Sequence, residues 1–104
     1  MIPKDLSVDN ISKIYKKIRP FINQTPFLKC PDDIDNYFST NLFFKCEFLQ
    51  KSGSFKARGA INNIISQDQN KFNKGITAVS AGNHAIAASF VANQFKLKNK
   101  IFLY

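Results

Sequence analysis

Apolar residues recur at helical spacing between residues 7 and 19. Val8, Ile11, Ile14, Tyr15 and Ile18 form one stripe, and lysines fill the other face. Ser7 is placed to cap this helix and Pro20 to end it. Residues 23–41 show no period and read as irregular: Thr25-Pro26 favours extended backbone, and Asp32, Asp33 and Asn36 favour turns. Leu42–Cys46 then reads as a first strand and Phe48–Gly53 as a loop, after which Ser54 caps a helix running to about Ser66. Lys71–Gly75 is a polar connection, and the β-branched run Ile76–Val79 is a second strand. A tight turn through Ala81 and Gly82 leads to Asn83 as a second N-cap, followed by a helix from His84 to about Phe95. Its Ala85, Ala88, Ala92 and Phe95 allow close packing on a sheet. Lys100–Tyr104 is a third strand.

The order is a helix followed by βαβαβ, which predicts an α/β fold with parallel strands and right-handed crossovers. In such sheets ligands bind at the carboxyl ends of the strands, beside helix N-termini. Two unusual runs fall on that edge, Ser54-Phe55-Lys56-Ala57-Arg58-Gly59-Ala60 and Ser80-Ala81-Gly82-Asn83-His84-Ala85. The chain ends inside a strand and is short for a doubly wound fold. Residues 1–104 are therefore expected to be one partial unit of a larger domain.

Charge changes this picture little. The net charge is +8, from 15 Lys+Arg against 7 Asp+Glu, but only Arg19 and Arg58 are arginines. The lysines are scattered, so the excess reads as a solvated surface and not as a nucleic-acid footprint. Cys30 and Cys46 are too far apart for a paired ligand set, and His84 is the only histidine, so no metal is expected. The two cysteines read as reduced, partly buried thiols. Met1–Asp5 lacks the apolar core of a signal sequence, and no segment reaches membrane-span length. A cytoplasmic protein without membrane or nucleic-acid partners is the expectation.

Lys56 is the residue that most needs an explanation. A lysine is nucleophilic only when its amine is neutral, and burial, a helix start and the nearby charge of Arg58 all favour that form. The alternative is a surface lysine whose stem packs while its ammonium reaches water. The run Ser80–His84 combines small residues with a helix start, where free backbone N–H groups can receive an anion such as a substrate carboxylate. It also reads simply as a tight turn with an Asn cap. It is not a dinucleotide fingerprint, and no phosphate-binding P-loop motif is present. His84 reads as a first-turn residue that orients the loop.

The segment from Lys45 to Ala60, with Lys56 inside Gly53-Ser54-Phe55-Lys56-Ala57-Arg58-Gly59, closely resembles the cofactor-lysine segment of the pyridoxal-phosphate-dependent serine/threonine dehydratases and serine racemases. Ser80–Ala85 resembles the second motif of that family. Gln24-Thr25-Pro26-Phe27-Leu28 is similar to its Thr-Pro-Leu segment. The resemblance runs from about residue 8 to the end, in the family's order.

The resemblance implies fold type II, the tryptophan-synthase-β-like architecture, with pyridoxal 5'-phosphate as cofactor. Lys56 is implied as the Schiff-base lysine and the carrier of the Cα proton, Phe55 as a neighbour of the cofactor ring, and Asn83 as the partner of its 3-hydroxyl oxygen. Ser80, Ala81, Gly82, Asn83 and His84 are implied to receive the carboxylate of L-threonine or L-serine. Serine racemases carry a second serine where this chain has Ala81, so the resemblance implies elimination, with racemisation as the alternative on the same scaffold. Cysteine synthases carry Lys-Asp-Arg where this chain has Lys56-Ala57-Arg58. In family members the phosphate-gripping glycine-rich loop, and the residue that meets the pyridine nitrogen, lie beyond the position of residue 104. The isolated chain is therefore expected to bind the cofactor poorly and to be inactive alone. The complete protein is expected to form a homo-oligomer.

Overall fold

The computed structural model describes residues 6–104, and the Met1–Asp5 segment lies outside them. The first helix, α1 (Val8–Ile18), forms where the apolar stripe predicts it, and Ser7 Oγ accepts the Asn10 N–H at 3.2 Å. Pro20 sits in the first turn of a short 3-10 segment, Arg19–Phe21, a place where its missing N–H costs nothing.

Residues 23–41 are more ordered than their composition suggests. They hold a short strand, β1 (Phe27–Lys29), and a two-turn helix, α2 (Asp32–Phe38). The aspartates that read as turn residues stand in the first turn of α2, where negative charge meets the positive end of the helix. Asp35 is buried, its Oδ1 accepts the Leu42 N–H at 2.8 Å, and Lys29 lies 3.2 Å from its other oxygen. The Leu42 amide first, and Lys29 second, hold this carboxyl below its usual range.

The expected first strand is present as β2 (Phe43–Lys45), but it does not join the parallel sheet. It pairs antiparallel with β1, with Phe27 opposite Lys45 and Lys29 opposite Phe43. After it come α3 (Lys56–Ile65), β3 (Ile76–Val79), α4 (Asn83–Gln94) and β4 (Asn99–Phe102). Strands β3 and β4 are parallel, Ile76 facing Asn99 and Val79 facing Phe102. The α/β class stands. Among the described residues, however, the parallel sheet has two strands, and the first expected strand belongs to a separate ribbon. The ribbon register also separates the cysteines. Cys46 continues the ladder opposite Pro26, and Cys30 continues it at the other end, opposite Leu42. Four residues of strand, at roughly 3.3 Å each, keep them beyond disulfide reach, and both are buried and free.

The core gathers where α1, α3 and α4 meet, around Ile18, Ile61, Ile64 and Val91. Ala57, Ala87 and Ala92 are fully buried on α3 and α4, and their small side chains bring the two helices close. Gly75 precedes β3 with φ +92°, and a Cβ there would stand 2.4 Å from the Lys98 carbonyl oxygen. No helix among the described residues is long and apolar enough to cross a membrane.

A polar clamp ties the ribbon to the α/β unit. Arg58, in the first turn of α3, donates from Nε to Glu47 Oε2 at 2.8 Å and from Nη2 to Oε1 at 2.7 Å. Thr25 Oγ1 donates to the same carboxylate at 2.5 Å, and Lys45 Nζ donates to the Thr25 carbonyl at 2.7 Å. Beside it, Gln50 Oε1 accepts the Asn23 N–H at 2.8 Å and its Nε2 donates to the Asn23 carbonyl at 2.9 Å. The Arg58 guanidinium, helped by the Thr25 hydroxyl, holds the Glu47 carboxyl down at about 2. The same pairing raises Arg58.

Two outcomes test this account. Replacing Ile61 with Ala should cost about 2–5 kcal/mol, because the vacated volume cannot be refilled by a fully buried helix face. Urea denaturation measures it, with Ile11→Ala on the exposed side of α1 as the mild control. The clamp adds a pH dependence. A carboxyl depressed in the fold stabilises it fully above the unfolded value, near 4.5, and that stability is lost as pH falls toward about 2. The difference is worth about 3 kcal/mol. Acid unfolding followed by circular dichroism should therefore be shallower between these pH values in Glu47→Gln than in the wild type.

Candidate active site

Lys56 opens α3. It is exposed, and its Nζ makes no hydrogen bond or ion pair with a described residue. Its one specific neighbour is the exposed ring of Phe55, 5.3 Å from the amine to the ring centroid. Two features of the lysine differ from expectation. It is not buried, because α3 turns its small residues inward: Ala57 is fully buried one position on. Nor does Arg58 lend it free positive charge, since the guanidinium is engaged by Glu47. Ser54 does not cap α3. Phe55 occupies the cap position without a side-chain bond, while Ser54 Oγ is buried and unpartnered, as is Ser52 Oγ. The approach to the lysine turns sharply, with Ser52 at φ +59° and Gly53 at φ +73°.

The second motif sits between β3 and α4. Ser80 continues the parallel ladder, its N–H donating to the Phe102 carbonyl at 2.9 Å, and its buried Oγ accepts the Gly82 N–H at 3.1 Å. Ala81, Gly82, Asn83 and His84 are exposed. Asn83 is the first residue of α4 and not its cap. Gly82 holds the cap position, because Ser80 already closes the turn. The first amides of a helix have no acceptor within it, and among the described residues those of Ala81, Asn83 and His84 meet none elsewhere. A Cβ built on Gly82 finds nothing within 4 Å, so this end of α4 is open to a ligand. This is the anion-receiving geometry that the run suggests. His84 makes no hydrogen bond that would orient the loop. It lines instead a cavity of about 370 Å³ between α3, β3 and α4, together with Ile64, Ile76 and Val91. Lys56 does not line it.

The two motifs do not share one edge of one sheet, since β2 left the parallel sheet. Helix packing relates them instead: α4 lies against α3 and also against the Lys51–Gly53 turn that leads to Lys56. No direct bond joins Lys56 to the Ser80–His84 loop. The residues missed from the sequence are Glu47, Thr25 and Gln50, which fasten the lysine's loop. Their signal was a glutamate and an arginine bracketing that loop, a pairing that periodicity does not register. Among the described residues, no cluster of histidine, cysteine and acidic side chains could hold a metal.

The serine racemase of Arabidopsis thaliana is 42% identical over 83 residues, which are 80% of this chain and 25% of that protein. The biosynthetic L-threonine dehydratase of Lactococcus lactis is 34% identical over 98 residues, 94% of this chain and 23% of the relative. The crystal structure of serine racemase from Dictyostelium discoideum superposes with a TM-score of 0.83 at 37% identity, covering 93% of this chain and 32% of that one. The chain thus spans about a quarter of the length of the curated relatives it matches. Residues 18–104 match the family described as pyridoxal-phosphate dependent enzyme, to which, with both motifs in place, this chain belongs.

Proposed function

We propose that this chain carries the catalytic lysine and substrate-carboxylate loop of an L-threonine/L-serine ammonia-lyase, which eliminates the β-hydroxyl as water and releases a 2-oxo acid and ammonia. The residues present fit the cofactor of the family. An aldehyde needs an amine with no competing hydrogen bond or ion pair, and Lys56 has none among the described residues. The Phe55 ring beside it offers an apolar edge, and the buried, unpartnered hydroxyl of Ser54 lies two residues away. Pyridoxal phosphate, when bound, supplies the electron sink that makes the substrate Cα–H acidic.

The protein's own groups then divide the work. The open amides at the start of α4, in the Ser80–His84 loop, receive the substrate carboxylate and fix the Cα. Asn83 is suited to the cofactor's ring oxygen, and Phe55 to its face. Lys56, which would hold the cofactor, would also take the Cα proton from its own side. The observation that carries elimination over racemisation is Ala81. A methyl group stands there with no proton to give, so this position offers no acid. Serine racemisation is the second reading, and its support is that the Arabidopsis and Dictyostelium relatives bear that name.

Borohydride reduction of the intact, cofactor-loaded protein should fix the cofactor on Lys56, read by peptide mass spectrometry; an adduct on another lysine refutes the assignment. Lys56→Ala should abolish turnover with an unchanged circular dichroism spectrum. From L-serine the protein should yield 2-oxo acid and ammonia, with Ala81→Ser shifting product toward D-serine on chiral chromatography. Abundant D-serine from the wild type would establish the racemase reading instead.

A further inference from the structure

We infer that the Glu47–Arg58 ion pair is the positioning device of Lys56, an inference that rests on Lys56 being the cofactor lysine proposed above. Glu47 and Arg58 flank residues 48–57, a turning segment that ends in the first two residues of α3, and Lys56 is the first of these. With no hydrogen bond or ion pair to a described residue, the amine's reach is set by where the backbone places and aims its Cα–Cβ bond. That backbone enters α3 without a side-chain cap, since Phe55 offers none. The first turn of the helix is held by Arg58 instead, through two parallel bonds of 2.8 and 2.7 Å to the two oxygens of Glu47. A forked pair of this kind fixes direction as well as distance.

Glu47 is anchored in turn. It directly follows Cys46 at the end of β2, and its Oε1 accepts the hydroxyl of Thr25, a residue only 3% exposed at the entrance to β1. The start of α3 is thereby referenced to two strand ends and not to the sharply turning loop between them. The loop itself is pinned midway by Gln50 and Asn23, so slack cannot enter from either side. Glu47 and Arg58 are positioning residues: they fasten the turn from which the lysine projects, and their side chains are satisfied by each other.

The test uses the intact protein loaded with pyridoxal phosphate. Glu47→Gln or Arg58→Gln alone leaves one part-buried charge without a partner, so stability and position change together. The double variant, Glu47→Gln with Arg58→Gln, removes both charges, keeping the bulk of Glu47 and shortening Arg58. It should fold, as judged by circular dichroism, and recover stability relative to either single variant. Its kcat should nevertheless fall about 10²-fold, the scale expected for a catalytic group displaced by about 1 Å, with KM changed far less. Borohydride should fix a smaller fraction of the cofactor on Lys56. Arg58→Lys keeps the charge but loses the fork, and it should show the same loss of kcat and of fixation. Wild-type kcat and full fixation in the double variant, or in Arg58→Lys, would overturn the inference and leave the pair a structural strut. Absence of any Lys56 adduct in the wild type would instead refute the cofactor-lysine assignment, and this inference with it.

Discussion

A partly buried ion pair, Glu47 with Arg58, ties the ribbon side of this chain to its helices. The β1–β2 ribbon and the α/β unit share no sheet, and each has its own hydrogen-bond ladder. Glu47 and Arg58 bridge them with side chains only 17% and 25% exposed. At that depth the carboxylate has given up much of its water, so its value depends on the guanidinium and hydroxyl that replace it. The pair is therefore a demanding joint. It is strong when all three partners are present and costly when one is missing, and the loop that carries the lysine lies between its ends.

Much of the α/β unit was legible in the sequence because its signals are local. The α1 stripe, the β-branched run of β3 and the alanines of α4 each state their element within a few residues. The ribbon was harder to see for a physical reason. Strands of three residues carry too little period to show, and the aspartates that suggested turns serve equally well in the first turn of a helix. The pairing of β2 with β1 rests on tertiary contact and on the Leu42 N–H that donates to the Asp35 carboxylate. The two helix starts show the same limit. Ser54 and Asn83 have the chemistry of caps, but the chain places each one residue away from the cap position.

The candidate site divides along the same line. Lys56 and the Ser80–His84 loop stood out as composition, because a lysine among small residues and an uncharged loop before a helix are both unusual. Lys56 is exposed, and its arginine neighbour is committed to Glu47. The loop kept its expected property, amides left open at a helix start, although Ser80 and not Asn83 closes the turn. What relates the two motifs is the contact of α4 with both α3 and the turn before it. No sheet edge does this, and no single-residue pattern could have announced it.

Gly75 has a bearing on the gene as well as on the fold. Its backbone lies in the left-handed region, and the Lys98 carbonyl occupies the space where any side chain would begin. Every single-nucleotide missense change of a glycine codon adds a Cβ, so no one-step replacement at this position is free of that collision. Inherited variation here should be confined to silent changes. A glycine outside both motifs is thus among the least substitutable positions in the chain.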